Sequence, residues 1–100
     1  MSAGVLAPTV LSVYSPYDGR PVGHVQVTDD SAVERAVALA HACRTELAAL
    51  PAHRRSDALD TVALGLAGRA EEAAQLITAE NGKPLKWARA EVTRAVSTFR

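Results

Sequence analysis

Apolar and polar residues alternate with a period near two from Val10 to Val27. Val10, Ser12 and Tyr14 alternate with Leu11, Val13 and Ser15. Further on, Val25 and Val27 alternate with His24 and Gln26. Between these runs lies Ser15-Pro16-Tyr17-Asp18-Gly19, dense in turn formers: Pro presets φ, Asp can close a side-chain turn, and Gly accepts positive φ. The pattern predicts a β-hairpin with strands near 10–15 and 21–27. An isolated two-stranded hairpin is marginal in water, so it is expected to dock onto something else.

The period then changes to that of a helix. Asp29, Asp30 and Ser31 all suit an N-cap, and Ser31 with Glu34 has capping-box spacing. Val33, Val37, Ala40 and Leu47 share one face of a helix predicted to run to about Ala49. It should stop before Pro51, which suits the first turn of the next helix. That second helix carries Leu59, Val62 and Leu66 on its apolar side, and Gly65 and Gly68 weaken its end by about 1 kcal/mol each relative to Ala. Glu71 and Glu72 favour a third helix start through the dipole, with Leu76 and Ile77 expected to be buried. Gly82 is a ready left-handed C-cap, and Pro84 beyond it opens a fourth helix. Leu85, Ala88, Val92, Ala95 and Phe99 form its stripe. That stripe still runs at Phe99-Arg100 with no Gly, Asn or Pro behind it, which fits a severed helix or a frayed natural C-terminus. The expected organisation is an N-terminal tail (1–9), a β-hairpin (10–28) and a helical segment (29–100). No internal repeat or low-complexity run interrupts it.

Composition narrows what these elements can do. Of 100 residues 48% are hydrophobic, but a fifth are alanine, and there are one Phe, one Trp and two Tyr. Alanine buries little area, so at about 25 cal/mol per Å² the core is thin for a free-standing fold. Eleven basic and 11 acidic residues balance to zero, which gives no reason to expect nucleic acid or an anionic membrane as partner. Met1 to Leu11 has no Lys or Arg before its short apolar stretch, unlike a signal peptide. No segment approaches the ~20 apolar residues that span a bilayer. A single cysteine, Cys43, excludes an intrachain disulfide and suits a cytoplasmic location.

The candidate chemistry is sparse. Cys43 is the obvious nucleophile, but it falls late in its predicted helix, where the dipole disfavours a thiolate. His41, two residues away, projects to another face. None of His24, His41 and His53 lies three or four residues from another His, so no zinc signature forms. Gly82-Lys83 resembles the end of a phosphate loop, but the Walker pattern needs Gly and Ser/Thr where Ile77 and Pro84 stand. There is no GxGxxG. His53-Arg54-Arg55 is a basic first turn that could meet a phosphate, with Asp57 and Asp60 near enough to neutralise it. Trp87 reads as a packing anchor, since no second aromatic accompanies it as a stacking platform. From the residues alone, the chain is a small hairpin-plus-helices module without a legible activity.

An ordered set of punctuating residues is more specific. Ser15-Pro16-Tyr17-Asp18-Gly19-Arg20-Pro21-Val22-Gly23 resembles the "N-P-x-x-G-x-x-[IV]-G" opening of aldehyde dehydrogenases, with Ser15 for the usual Asn. Val33-Glu34-Arg35-Ala36-Val37 is similar to that family's "V-[DE]-x-A-V", and Pro51-Ala52-His53-Arg54-Arg55 to its "P-x-x-x-R". Glu80-Asn81-Gly82-Lys83-Pro84-Leu85 matches "E-x-G-K-P-[LI]", followed by Ala88-Arg89-Ala90-Glu91-Val92. The four stand in family-like order from Tyr14 to Arg100. Leu47 lies near where members often carry a Trp. Leu50 to Arg55 and Glu91 to Ala95 are most similar to the lactaldehyde and non-phosphorylating glyceraldehyde-3-phosphate dehydrogenase-like branches.

The resemblance implies an α/β parent enzyme several times longer, with a Rossmann-like NAD(P)-binding domain, a catalytic domain and an oligomerisation arm. This chain would supply strands and helices that brace the nucleotide-binding domain. The implied cofactor is NAD or NADP, the substrate a small aldehyde and the assembly a homo-oligomer. The implied mechanism is covalent. A cysteine thiolate attacks the aldehyde, hydride passes to nicotinamide, and a glutamate activates water to hydrolyse the thioester. A main-chain N–H and an Asn amide hold the oxyanion. On the same resemblance none of the catalytic or nucleotide-contacting residues lies in this chain, and Cys43 is not the nucleophile. Some members bind a structural monovalent cation near the first strand and an acidic residue of the fourth helix, for which Glu91 is the nearest position. The alternative is a stand-alone helical interaction module without enzymatic activity.

Overall fold

A computed structural model describes residues 9–100. The expected N-terminal tail therefore lies, up to residue 8, outside the described residues. Strand β1 (Val10–Tyr14) pairs antiparallel with β2 (Pro21–Gln26), as the alternation predicts. Five helices follow: α1 (Asp30–Ala42), α2 (Arg44–Ala49), α3 (Ala52–Gly68), α4 (Ala70–Asn81) and α5 (Leu85–Phe99). The predicted hairpin followed by four helical stretches thus holds, with the first stretch divided in two.

The hairpin loop is closed by its own backbone and side chains. Gly19 N–H donates to the Ser15 carbonyl at 2.9 Å, and Ser15 N–H to the Arg20 carbonyl at 2.8 Å. Gly19 takes φ 75°, which an L side chain would resist. Asp18 Oδ1 accepts from the Arg20 N–H at 3.0 Å while its other oxygen meets the Arg20 guanidinium. Those contacts hold the Asp18 carboxyl below the usual carboxylate range, the backbone N–H of Arg20 foremost. Beyond the loop the register slips by one residue. Tyr14 faces Pro21 while Val13 faces Gly23, leaving half-buried Val22 as a bulge.

Asp29 caps α1, its Oδ1 accepting from Ala32 N–H at 2.8 Å and from the Ser31 hydroxyl at 2.9 Å. Of the three candidate caps the first is used, which displaces the expected Ser31–Glu34 box. Ser31 instead turns back to the cap and receives Arg35 Nη1 at 3.1 Å. The break between α1 and α2 falls at Cys43, where the Arg44 guanidinium occupies the His41 carbonyl at 2.6 Å. Pro51 stands at the N-cap of α3, accepting from the N–H groups of Arg54 and Arg55. Arg55 also reaches back to the Leu50 carbonyl at 2.7 Å, tying the end of α2 to the start of α3. Gly65 and Gly68 both lie within α3. Gly82 ends α4 at φ 80°, ψ 5°, and Pro84 stands at the N-cap of α5, both as the sequence predicts.

Helices α3 and α4 pack on α5, and the core sits there. Among the described residues the buried hydrophobics are Ala63, Ala74, Ala88 and Val92, bordered by half-buried Leu66, Ala70, Ala73, Ile77 and Leu85. Three of those four carry a single methyl group, worth about 0.8 kcal/mol when buried. Helices α1 and α2 bury nothing, and their stripe of Val33, Val37 and Leu47 is open to solvent. Leu76, expected to be buried, is half exposed, whereas its neighbour Ile77 turns inward. The chain spreads into a slab of 49 × 48 × 14 Å with a radius of gyration of 18.6 Å, against about 13 Å for a compact 100-residue domain.

Candidate functional site

Two features of the helical layer hold polar or apolar groups together: the corner between α4 and α5, and a groove on the α3–α4 face. The corner is built by the Glu80-Asn81-Gly82-Lys83-Pro84-Leu85 run. Gly82 turns the chain in a left-handed conformation, and a Cβ there would stand 3.0 Å from Pro16 Cγ of the hairpin loop. Glycine at 82 thus serves both the turn and the approach of the hairpin. Just past the turn, Lys83 Nζ donates to Glu91 Oε2, one turn and more into α5. The ammonium holds the Glu91 carboxyl below its ordinary range. Glu91, the nearest position for a structural cation, is therefore already neutralised by a cation of this chain.

A second polar clamp joins α4 to α5. Arg89 grips Glu71 with both arms, Nε to Oε2 at 3.0 Å and Nη2 to Oε1 at 2.7 Å, while Gln75 adds a bond at 3.1 Å. The paired guanidinium bonds, with Gln75 second, lower the Glu71 carboxyl to about 2. Arg69 forms a similar fork with Glu72 at the start of α4, at 2.9 and 2.6 Å, which lowers Glu72 as well. These pairs span helix ends and helix faces. A fork–fork pair fixes orientation, but an exposed one offers no proton-transfer chemistry.

The groove is apolar. Val62, Gly65, Leu66, Ala73, Leu76 and Phe99 line about 500 Å³, with the Arg69–Glu72 pair at its rim. Leu66 and Ile77 turn toward the core, while Val62 of α3 and Leu76 of α4 remain about half exposed. The groove has the character of a packing surface. It carries no nucleophile, no base and no unpaired cation for a phosphate.

The remaining candidates stay apart. Cys43 is an exposed free thiol at the α1–α2 break. His24 lies on β2, His41 on α1 and His53 on α3, all exposed, and among the described residues no three His, Cys, Asp or Glu side chains could hold a metal ion. In the basic turn His53-Arg54-Arg55, Arg55 is spent on backbone carbonyls rather than on a ligand. Trp87 is 58% exposed, with the Lys86 ammonium 5.2 Å from its ring centroid, so it is no packing anchor within this chain. Sequence reasoning missed the Arg89–Glu71 and Lys83–Glu91 pairs. Both join residues on different elements, and their only sequence signal was the charge of each partner. No helix of the described residues is long and apolar enough to cross a membrane.

Comparison with known proteins matches the whole helical layer and the hairpin at once. The profile of the aldehyde dehydrogenase family covers residues 6–100. An aldehyde-dehydrogenase-like protein of Sinorhizobium fredii is 37% identical over 95 residues, 95% of this chain and 18% of that protein. Aspartate-semialdehyde dehydrogenase 1 of Pseudomonas canavaninivorans is 36% identical over 100 residues, 100% of this chain and 21% of that protein. A lactaldehyde dehydrogenase of Methanocaldococcus jannaschii is 27% identical over 90 residues, 90% of this chain and 19% of its own length. The chain spans about a fifth of the length of these relatives.

Proposed function

The chain belongs to the aldehyde dehydrogenase family, and on that premise we propose that it is the N-terminal segment of an NAD(P)-dependent aldehyde dehydrogenase. Its role is to brace the nucleotide-binding domain, with residues 29–100 as the helical part of that domain. The parent enzyme oxidises an aldehyde to a carboxylic acid through a cysteine thiohemiacetal. It works in the cytoplasm as a homo-oligomer with NAD or NADP as cofactor. The catalytic residues lie in the remainder of the enzyme, and Cys43 is a bystander.

One observation carries this reading: a family match over nearly the whole chain falls on a slab whose apolar faces lack cover. The α1 stripe and the α3–α4 groove are what a bracing element presents to the domain it supports. The residues of this chain do not fit a dinucleotide. It has no glycine-rich phosphate turn, and the guanidinium at the groove, Arg69, is committed to Glu72. No step of the reaction is therefore assigned to them.

The test is expression of the complete reading frame beside the 100-residue chain. The long protein is expected to reduce NAD⁺ or NADP⁺ in the presence of an aldehyde. The short chain should give no binding heat with either nucleotide and no cooperative melt by circular dichroism. A reading frame without a cysteine-bearing catalytic region would overturn the proposal. So would cooperative melting of the short chain as a monomer or dimer, the behaviour of a stand-alone interaction module.

A further inference from the structure

No further inference is drawn: the strongest candidate, the apolar groove between α3, α4 and the end of α5, belongs to the packing face already described, and nothing in the structure shows what covers it.

Discussion

Replacing Leu76 by Ala separates a groove that stays open from one that the rest of an enzyme fills. Leu76 is 50% exposed in this chain. Full burial of a leucine is worth about 1.5–3 kcal/mol, so the chain alone realises about 1 kcal/mol of it. With the groove covered, the same truncation loses the whole transfer term and leaves a cavity, about 2–5 kcal/mol. In the complete protein, native-state hydrogen exchange of the α4 amides reads the difference, since each 1.4 kcal/mol of local opening free energy is about tenfold in exchange rate. The expected acceleration is about 1.5 to 3.5 decades for a covered groove, against about tenfold or less for an open one. Val92→Ala serves as the control. Val92 is only 3% exposed, so its truncation should cost about 2 kcal/mol whether or not the groove is covered. An acceleration of about tenfold or less by Leu76→Ala would mean that the groove faces water in the complete protein too, and the bracing role would fall.

Three further outcomes follow from the geometry. Glu71 is held at about 2 by Arg89; a depressed carboxylate stabilises above its unfolded pKa near 4.5, and that contribution is lost as pH falls toward 2. Exchange protection at the α4–α5 contact should therefore fall over that window, and Glu71→Gln should flatten the response; an unchanged profile in the variant would remove the clamp. Gly82→Ala should cost about 1–2 kcal/mol for the left-handed turn plus the shift of Pro16, more than Gly19→Ala, whose Cβ meets nothing within 4 Å; equal unfolding costs in urea would contradict the hairpin contact. Cys43→Ser in the complete enzyme should leave kcat unchanged, and a loss of more than about tenfold, or 1.4 kcal/mol, would return Cys43 to the chemistry.

The elements were largely legible because their signals are local. Turn residues at 15–19, Pro51, Gly82 and Pro84 act on the backbone beside them, so the strand limits and the α4–α5 corner emerge close to where the sequence sets them. The division at Cys43 was not legible, because it involves a side chain capturing a carbonyl within a run of helix formers. The choice of Asp29 over Ser31 is similar: three adjacent residues have the chemistry of a cap, and entry geometry selects one. Leu76 and Trp87 show a different limit. Periodicity states which side chains share a face, but burial requires something opposite that face. The site itself had little to reveal. Helical phase set His41 and Cys43 on different faces, spacing set the three histidines apart, and among the described residues no three metal-ligating side chains come together.

The 14 Å thickness of the slab has a consequence for biosynthesis. A layer this thin has two broad surfaces and little interior, and among the described residues the buried hydrophobics are four small side chains. On the proposed reading, in an enzyme of the relatives' length, this segment leaves the ribosome early. About four times as much chain then remains to be made, on the order of tens of seconds at ordinary elongation rates. Through that interval its leucines and valines stand uncovered. Such a nascent chain invites holdase chaperones, and slowing translation downstream of this segment should raise aggregation of the newborn enzyme without altering the finished one.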